Sequence, residues 1–258
     1  MTEYILGQDI EIRDRSYSGS LSAYILHEDG KPYHTFRTPT VIIEGSRITC
    51  RGCTFENTAG SGKEVGQAIA LFLDGDEIVL DHCTVRAHQD TLFLAPLPET
   101  EYEKDGFLGT KPIHPRIPRT VYIRHCLIEG DVDFVFGGAT AWFEDCEFRS
   151  NGPGFVFAPS TPQNVKEGFM VRNCRFTCTD TVPDGSCYIA RPWRDYGMVH
   201  LEHCELGRHI HPDGWHDWGK TGAHDKIRFS ETASFGPGAS GKRPDYVTVI
   251  PSDSKDSQ

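Results

Sequence analysis

Short alternating runs of apolar and polar residues dominate this chain. Six of them share one frame, in which a cysteine is followed by any residue and then a large apolar one. They are "RGCTFEN" (Cys53), "DHCTVRA" (Cys83), "RHCLIEG" (Cys126), "EDCEFRS" (Cys146), "RNCRFTC" (Cys174) and "EHCELGR" (Cys204). A period of two predicts short strands with one face turned inward. Further strands are predicted over 40–43, 69–73, 77–80, 91–94, 119–123, 155–158, 169–171 and 198–201. Almost no segment has the spacing of an amphipathic helix of ten or more residues. The cysteine frames recur at intervals of 30, 43, 20, 28 and 30 residues. Uneven repeats of this size suit stacked coils whose loops vary in length, so the pattern predicts an all-β solenoid of the parallel β-helix kind. A β-sandwich is the alternative.

Two segments break the rhythm. Residues 95–118, "APLPETEYEKDGFLGTKPIHPRIP", form a long loop rich in proline and charge, of the kind that shapes a cleft. The tail from Phe235 is expected to close the fold and to be flexible over about 250–258. No linker divides the sequence, so one domain is expected over 1–258.

Composition narrows the function classes. A formal charge of −11 would repel nucleic acid and anionic membrane surfaces, and neither is expected as a partner. The longest apolar runs, such as Ala68 to Leu73, are too short to span a bilayer. The opening "MTEYILGQDIEIRDRS" lacks a signal-peptide pattern, and nine cysteines leave an unpaired thiol. Both favour the cytoplasm, with an extracellular location if a signal has been removed.

The inward-facing cysteines are expected to pack as small hydrophobes. Cys50 and Cys53 have zinc-ligand spacing but no second matching pair, and Cys174 and Cys178 lie on another repeat. "GSGKEVG" (Gly60 to Gly66) lacks the earlier glycine and the hydroxyl residue of a phosphate loop and is read as a polar turn. His209, His211 and His216 cluster in "HIHPDGWHDW", without a carboxylate or cysteine to complete a metal site. The carboxylates are better candidates. Gln89 and Asp90 stand at the start of the apolar run "TLFL", and Asp133 stands the same way before "FVFGG". Acids at strand starts are often only solvated. Two on successive coils, however, would lie side by side, which drives their pKa values apart and divides the roles of acid and nucleophile. Arg191, beside Trp193 in "ARPWRDY", offers a cation to keep one of them ionised. Asp131, two residues before Asp133, is expected on the same strand face as a turn or supporting residue.

At these residues the sequence resembles the pectinesterases (pectin methylesterases), which are right-handed parallel β-helix enzymes. Four recurring blocks of that family stand in order: "GQAIAL" (Gly66 to Leu71), "QDTLFL" (Gln89 to Leu94), "DFVFG" (Asp133 to Gly137) and "ARPW" (Ala190 to Trp193). "GCTFENTAG" and "HIHPDGW" are similar to further family segments, so the resemblance covers roughly Val41 to Pro237. It implies hydrolysis of C6 methyl esters of pectin with release of methanol through an acyl-enzyme. Asp133 matches the nucleophile, and Asp90 the acid that protonates methanol and then acts as base on water. Gln67 matches the oxyanion donor, Gln89 lines the same site, and Arg191 orients the nucleophile. Trp193 and Phe134 are expected to contact substrate. No cofactor or metal is implied, the partner is methyl-esterified pectin or its oligosaccharides, and a monomer is expected. Methylated pectin is neutral, so an acidic protein need not repel it. Two departures stand out: Ala190 replaces the usual Gly before "RPW", and a G-x-Y-x-E block is absent from a shortened N-terminal part of about 40 residues, where the first coil and cap are in question. A pectate lyase-like enzyme and a non-catalytic polysaccharide-binding β-helix are the alternatives.

Overall fold

The computed structural model describes residues 1–109 and 115–250, in which every predicted strand forms. The last eight residues of the expected flexible tail, and 110–114 of the long loop, lie outside the described residues. Strands β1 (Glu3–Arg13) and β2 (Ser16–Gly19) make a first coil, and β3 (Val41–Arg51) with β4 (Thr54–Asn57) a second. The third holds β5 (Leu71–Asp76), β6 (Ile78–Asp81) and β7 (Thr84–Arg86). The fourth runs through β8 (Leu92–Leu94), β9 (Thr120–Arg124) and the start of β10 (Leu127–Gly137). The end of β10, β11 (Thr140–Glu144) and the start of β12 (Glu147–Pro159) make the fifth. The end of β12 is followed by β13 (Phe169–Arg172) and β14 (Arg175–Cys178) in the sixth, and by β15 (Cys187–Ala190), β16 (Met198–Glu202) and β17 (Glu205–Leu206) in the seventh. β18 (Arg228–Thr232) and β19 (Val247–Ile250) continue one face.

Every ladder between these strands is parallel, which makes the molecule a parallel β-helix, with the right-handed coiling usual for parallel connections. The segment ahead of β3 does form a coil: Glu3 to Ile5 pair with Val41 to Ile43, and Ser16 to Gly19 pair with Thr54 to Asn57.

The residue before each repeated cysteine explains the bend between two faces. Gly52, His82, His125, Asp145, Asn173 and His203 all have φ between 52° and 63°. This left-handed conformation suits glycine and tolerates short polar side chains, and it turns the next residue inward. Cysteines 53, 83, 126, 146, 174 and 204 therefore form an interior column; the Cys83 amide donates to Cys126 Sγ at 3.3 Å, and the Cys146 amide to Cys174 Sγ at 3.3 Å. All nine cysteines are free, and eight are buried.

A second apolar layer lies outside the first face of the coil, where Phe36, Phe72, Phe93, Phe136 and Ala158 pack with Leu97, Phe107 and Trp193. Phe93 packs between Phe72 and Phe136 with tilted rings, at centroid distances of 4.7 and 4.9 Å. Among the described residues no helix is long and apolar enough to cross a membrane.

Candidate active site

Register brings the two acids together. Leu92 pairs with Val135, and Asp90 and Asp133 each stand two residues before their partner in that pair. The carboxylates therefore sit on neighbouring coils, 43 residues apart in sequence. The Asp90 amide donates to Val132 O at 3.0 Å, lacing the two segments directly. Both acids have left-handed backbones, φ 63° for Asp90 and 51° for Asp133. The same left-handed turn that bends the coil elsewhere turns the two carboxylates here out of the strand pattern.

That backbone also corrects the expected geometry of Asp131. Strand alternation would put Asp131 and Asp133 on one face, but the β10–β12 ladder slips between Gly130 and Val132 and again before Val135. Asp133 turns into the cleft, while Asp131 faces His88, with 3.2 Å between Oδ2 and the ring Nδ1. The same slip overturns the expectation for Phe134. Its side chain is fully buried in the coil interior, where no substrate reaches it; Phe136 takes the outward position and meets Trp193 at 5.7 Å.

Arg191 follows β15 and reaches back to Asp133 with two parallel hydrogen bonds, 2.8 Å from Nε to Oδ1 and 2.7 Å from Nη2 to Oδ2. Its guanidinium lies over Phe155 at 3.9 Å and Trp218 at 3.7 Å, so both faces are covered by rings. Ala190 does not obstruct this arrangement, because its methyl group points into the core. Electrostatics separate the two acids. Burial, and then the neighbouring Asp133, push Asp90 well above the usual carboxylate range. Burial also raises Asp133, but there the hydrogen bonds and charge of Arg191 oppose the rise. Of the two, Asp133 is the more readily ionised and Asp90 the more strongly held protonated.

Around them lies a cleft of about 610 Å³ that also receives Gln67, Gln89 and Trp193. The Ala68 amide donates to Gln89 O at 3.1 Å, which sets the two glutamines on adjacent coils. The Gly-rich turn contributes to this corner, because a Cβ on Gly62 would overlap the Gln89 amide. Sequence reading missed Trp218, Tyr102 and Lys220, which also line the cleft. Lys220 Nζ donates to Pro192 O at 2.7 Å and Trp193 O at 3.0 Å, and Arg194 lies over the Tyr102 ring at 3.7 Å. The Arg194–Tyr102 contact fastens the long loop to the cleft side of the coil. The clue available in sequence was the aromatic and cationic content of "WHDWGK" and of the loop.

The histidine cluster does not assemble. His209 is fully buried without a hydrogen-bond partner, whereas His211 stacks on Tyr188 at 4.5 Å. Among the described residues the group close enough to share an ion is Asp81, His82 and His125, but Arg51 and Arg124 pair with the same carboxylate.

Known proteins agree with this architecture. The family model described as Pectinesterase matches residues 18–98 and 113–250. Pectinesterase 31 of Arabidopsis thaliana is 32% identical over 206 residues, covering 80% of this chain and 57% of that protein. Pectinesterase QRT1 of the same plant is 31% identical over 239 residues, covering 91% and 56%. The chain thus spans a little over half the length of these relatives. The pectin methylesterase from carrot superposes with a TM-score of 0.76 at 23% identity, over 99% of this chain and 81% of the carrot chain. PemA from Erwinia chrysanthemi gives 0.70 at 21% identity, over 97% and 84%. These likenesses support the fold, and the family model extends along most of the chain: it belongs to the pectinesterase family.

Proposed function

We propose that this chain is a carboxylic ester hydrolase that removes C6 methyl esters from pectin. The observation that carries the reading is the in-register pair Asp90 and Asp133, with Arg191 committed to Asp133 by two hydrogen bonds. Ionised Asp133 attacks the ester carbonyl, and charge develops on the carbonyl oxygen. Gln67 and Gln89 carry amide donors beside that position and stabilise the oxyanion. Asp90 gives its proton to the departing methoxide, releasing methanol and leaving an acyl-enzyme on Asp133. The resulting Asp90 carboxylate then takes a proton from water, which attacks the acyl group and restores both acids. Trp193 and Trp218 offer ring surface to the sugar, and Phe136 supports Trp193 from beneath. No step draws on a metal or cofactor.

The substrate is read as methyl-esterified homogalacturonan, bound by a monomer. Burial shields eight of the nine thiols from oxidants in any compartment, so the odd cysteine count does not argue for the cytoplasm. The test is incubation with methylated pectin, once with calcium and once in a chelator, measuring methanol, ultraviolet-absorbing unsaturated product and reducing ends. Methanol alone supports the esterase, whereas unsaturated product would support a lyase and no product a binding protein. Asp133→Asn should abolish methanol release with the fold intact, and substantial residual release would remove Asp133 from the nucleophile's role.

A further inference from the structure

The triplets His88-Gln89-Asp90 and Asp131-Val132-Asp133 run alongside each other and are joined at both ends. At one end the Asp90 amide reaches Val132 O; at the other the Asp131 amide donates to His88 O at 3.2 Å, and the two side chains meet at 3.2 Å. Asp131 is buried, and its Oδ1 accepts from the Val132 amide at 2.6 Å. Gly154 lets the next coil press against this turn, since a Cβ there would overlap Asp131 O, and one on Gly152 would sit 3.0 Å from the Asp131 Cβ. The turn that presents Asp133 is thus stapled to the segment that presents Asp90, and a third carboxylate is enclosed behind them.

Resting on the esterase reading, we propose that Asp131, held by His88, is a positioning residue for the reaction: it fixes the turn that carries Asp133 and supplies a third buried carboxylate that biases the catalytic pair towards sharing one proton. Its charge acts upward on both Asp90 and Asp133, and Arg191 opposes it from the far side. His88 is half-buried, and its hydrogen bond to Asp131 raises its affinity for a proton. Glu129 on β10 adds to that rise, and Arg86 and Glu56 face His88 across a small polar hollow that Asn151 also lines. While His88 is protonated it balances Asp131. Once it loses the proton, the full charge of Asp131 bears on the pair and strengthens the hold of Asp90 on its proton. Acid catalysis is thereby carried to higher pH than the two catalytic carboxylates would sustain alone.

The experiment is a pH profile of kcat/KM for methanol release, run with carbon-13 carboxyl titration by NMR on the wild type, Asp131→Asn and His88→Gln. Asp131→Asn should move both limbs of the profile and the Asp90 titration to lower pH, by about one unit for a partly screened charge one coil away. His88→Gln removes the balancing proton and should move the acid limb to higher pH, and it keeps the proposal testable if Asp131→Asn does not fold. Superimposable profiles from a wild type and variants that release methanol would overturn the proposal. Absence of methanol from the wild type would instead overturn the esterase reading. The carboxyl titration alone then decides, and an Asp90 curve unmoved in the variants sinks the proposal.

Discussion

Replacing Arg191 separates its charge from its shape. The guanidinium makes two charge-assisted hydrogen bonds to a buried carboxylate and is sandwiched by Phe155 and Trp218. Truncation to alanine removes a partner from a buried ion, a change that costs about 3–5 kcal/mol. Asp133 would escape much of that cost by protonating, and a protonated nucleophile cannot attack. Read as lost transition-state stabilisation, the same energy is a fall of roughly 200- to 5,000-fold in kcat/KM. Arg191→Lys keeps a charge but neither the planar fork nor the stacking, so one hydrogen bond to a charged group is lost, about 1.5–3 kcal/mol. A fall of roughly 10- to 150-fold is expected there. The assay is methanol release from methylated pectin across a pH series. In Arg191→Ala the acid limb should also move to higher pH, because the opposition to the burial of Asp133 has gone. An alanine variant keeping more than about a tenth of wild-type activity, or one with an unmoved acid limb, would refute the reasoning.

Other predictions probe the site and its scaffold. Phe134→Ala and Phe136→Ala should each destabilise the fold by about 3–5 kcal/mol in urea unfolding, but only Phe136→Ala, beside Trp193, should also raise KM; a raised KM in Phe134→Ala alone would mean that their faces have been exchanged. Wild-type activity should be bell-shaped in pH, rising as Asp133 ionises above the ordinary Asp value and falling as Asp90 loses its proton at higher pH. Gly62→Ala should lower kcat through a displaced Gln89 and lower the melting temperature as well, since its Cβ would overlap the Gln89 Cβ, and unaltered kcat would argue against Gln89 as an oxyanion donor. Burial, reinforced by Arg208, holds His209 down at about 4 against an ordinary 6.5. The folded state therefore binds fewer protons than the unfolded one between those values, so stability is lost as pH falls through that window, by up to about 3 kcal/mol. His209→Phe should flatten the dependence of the urea midpoint between pH 4 and 6.5, and an unchanged slope would assign it to other groups.

Much of this fold was legible because a β-helix repeats the same physical problem coil after coil. The inward position is apolar in each rung, so the cysteine frames and strands such as 119–123 and 169–171 announced themselves. Asp90, Asp133 and Arg191 could be paired on paper because each acid stands at the start of a strand, and strands of neighbouring coils align. What could not be read were departures from strand geometry. A period of two has no way to show that Asp133 adopts a left-handed backbone, so Asp131 was given the wrong face and Phe134 the position that belongs to Phe136. Trp218 and Lys220 were missed for another reason. They reach the cleft from a loop 85 and 87 residues beyond Asp133, and no local pattern records that approach. In the first coil the inward residues Ile5, Ile10 and Ile12 have a neighbour on one side alone, so their pattern is diluted by exposed polar residues.

The column of interior thiols makes the molecule a gauge of its own opening. A thiol reacts as its thiolate, and burial raises Cys50, Cys146 and Cys204, the last to about 11. A labelling reagent can therefore modify these cysteines only when their coil comes apart. Cys178, partly exposed at the edge of β14, should be the first to react, although burial raises its thiol as well. Because one cysteine marks nearly every coil, mass spectrometry of labelled peptides over time would rank the coils by their free energy of opening. The resulting order would tell whether the turns that hold Asp90 and Asp133 belong to the last part of the solenoid to yield or to a softer middle.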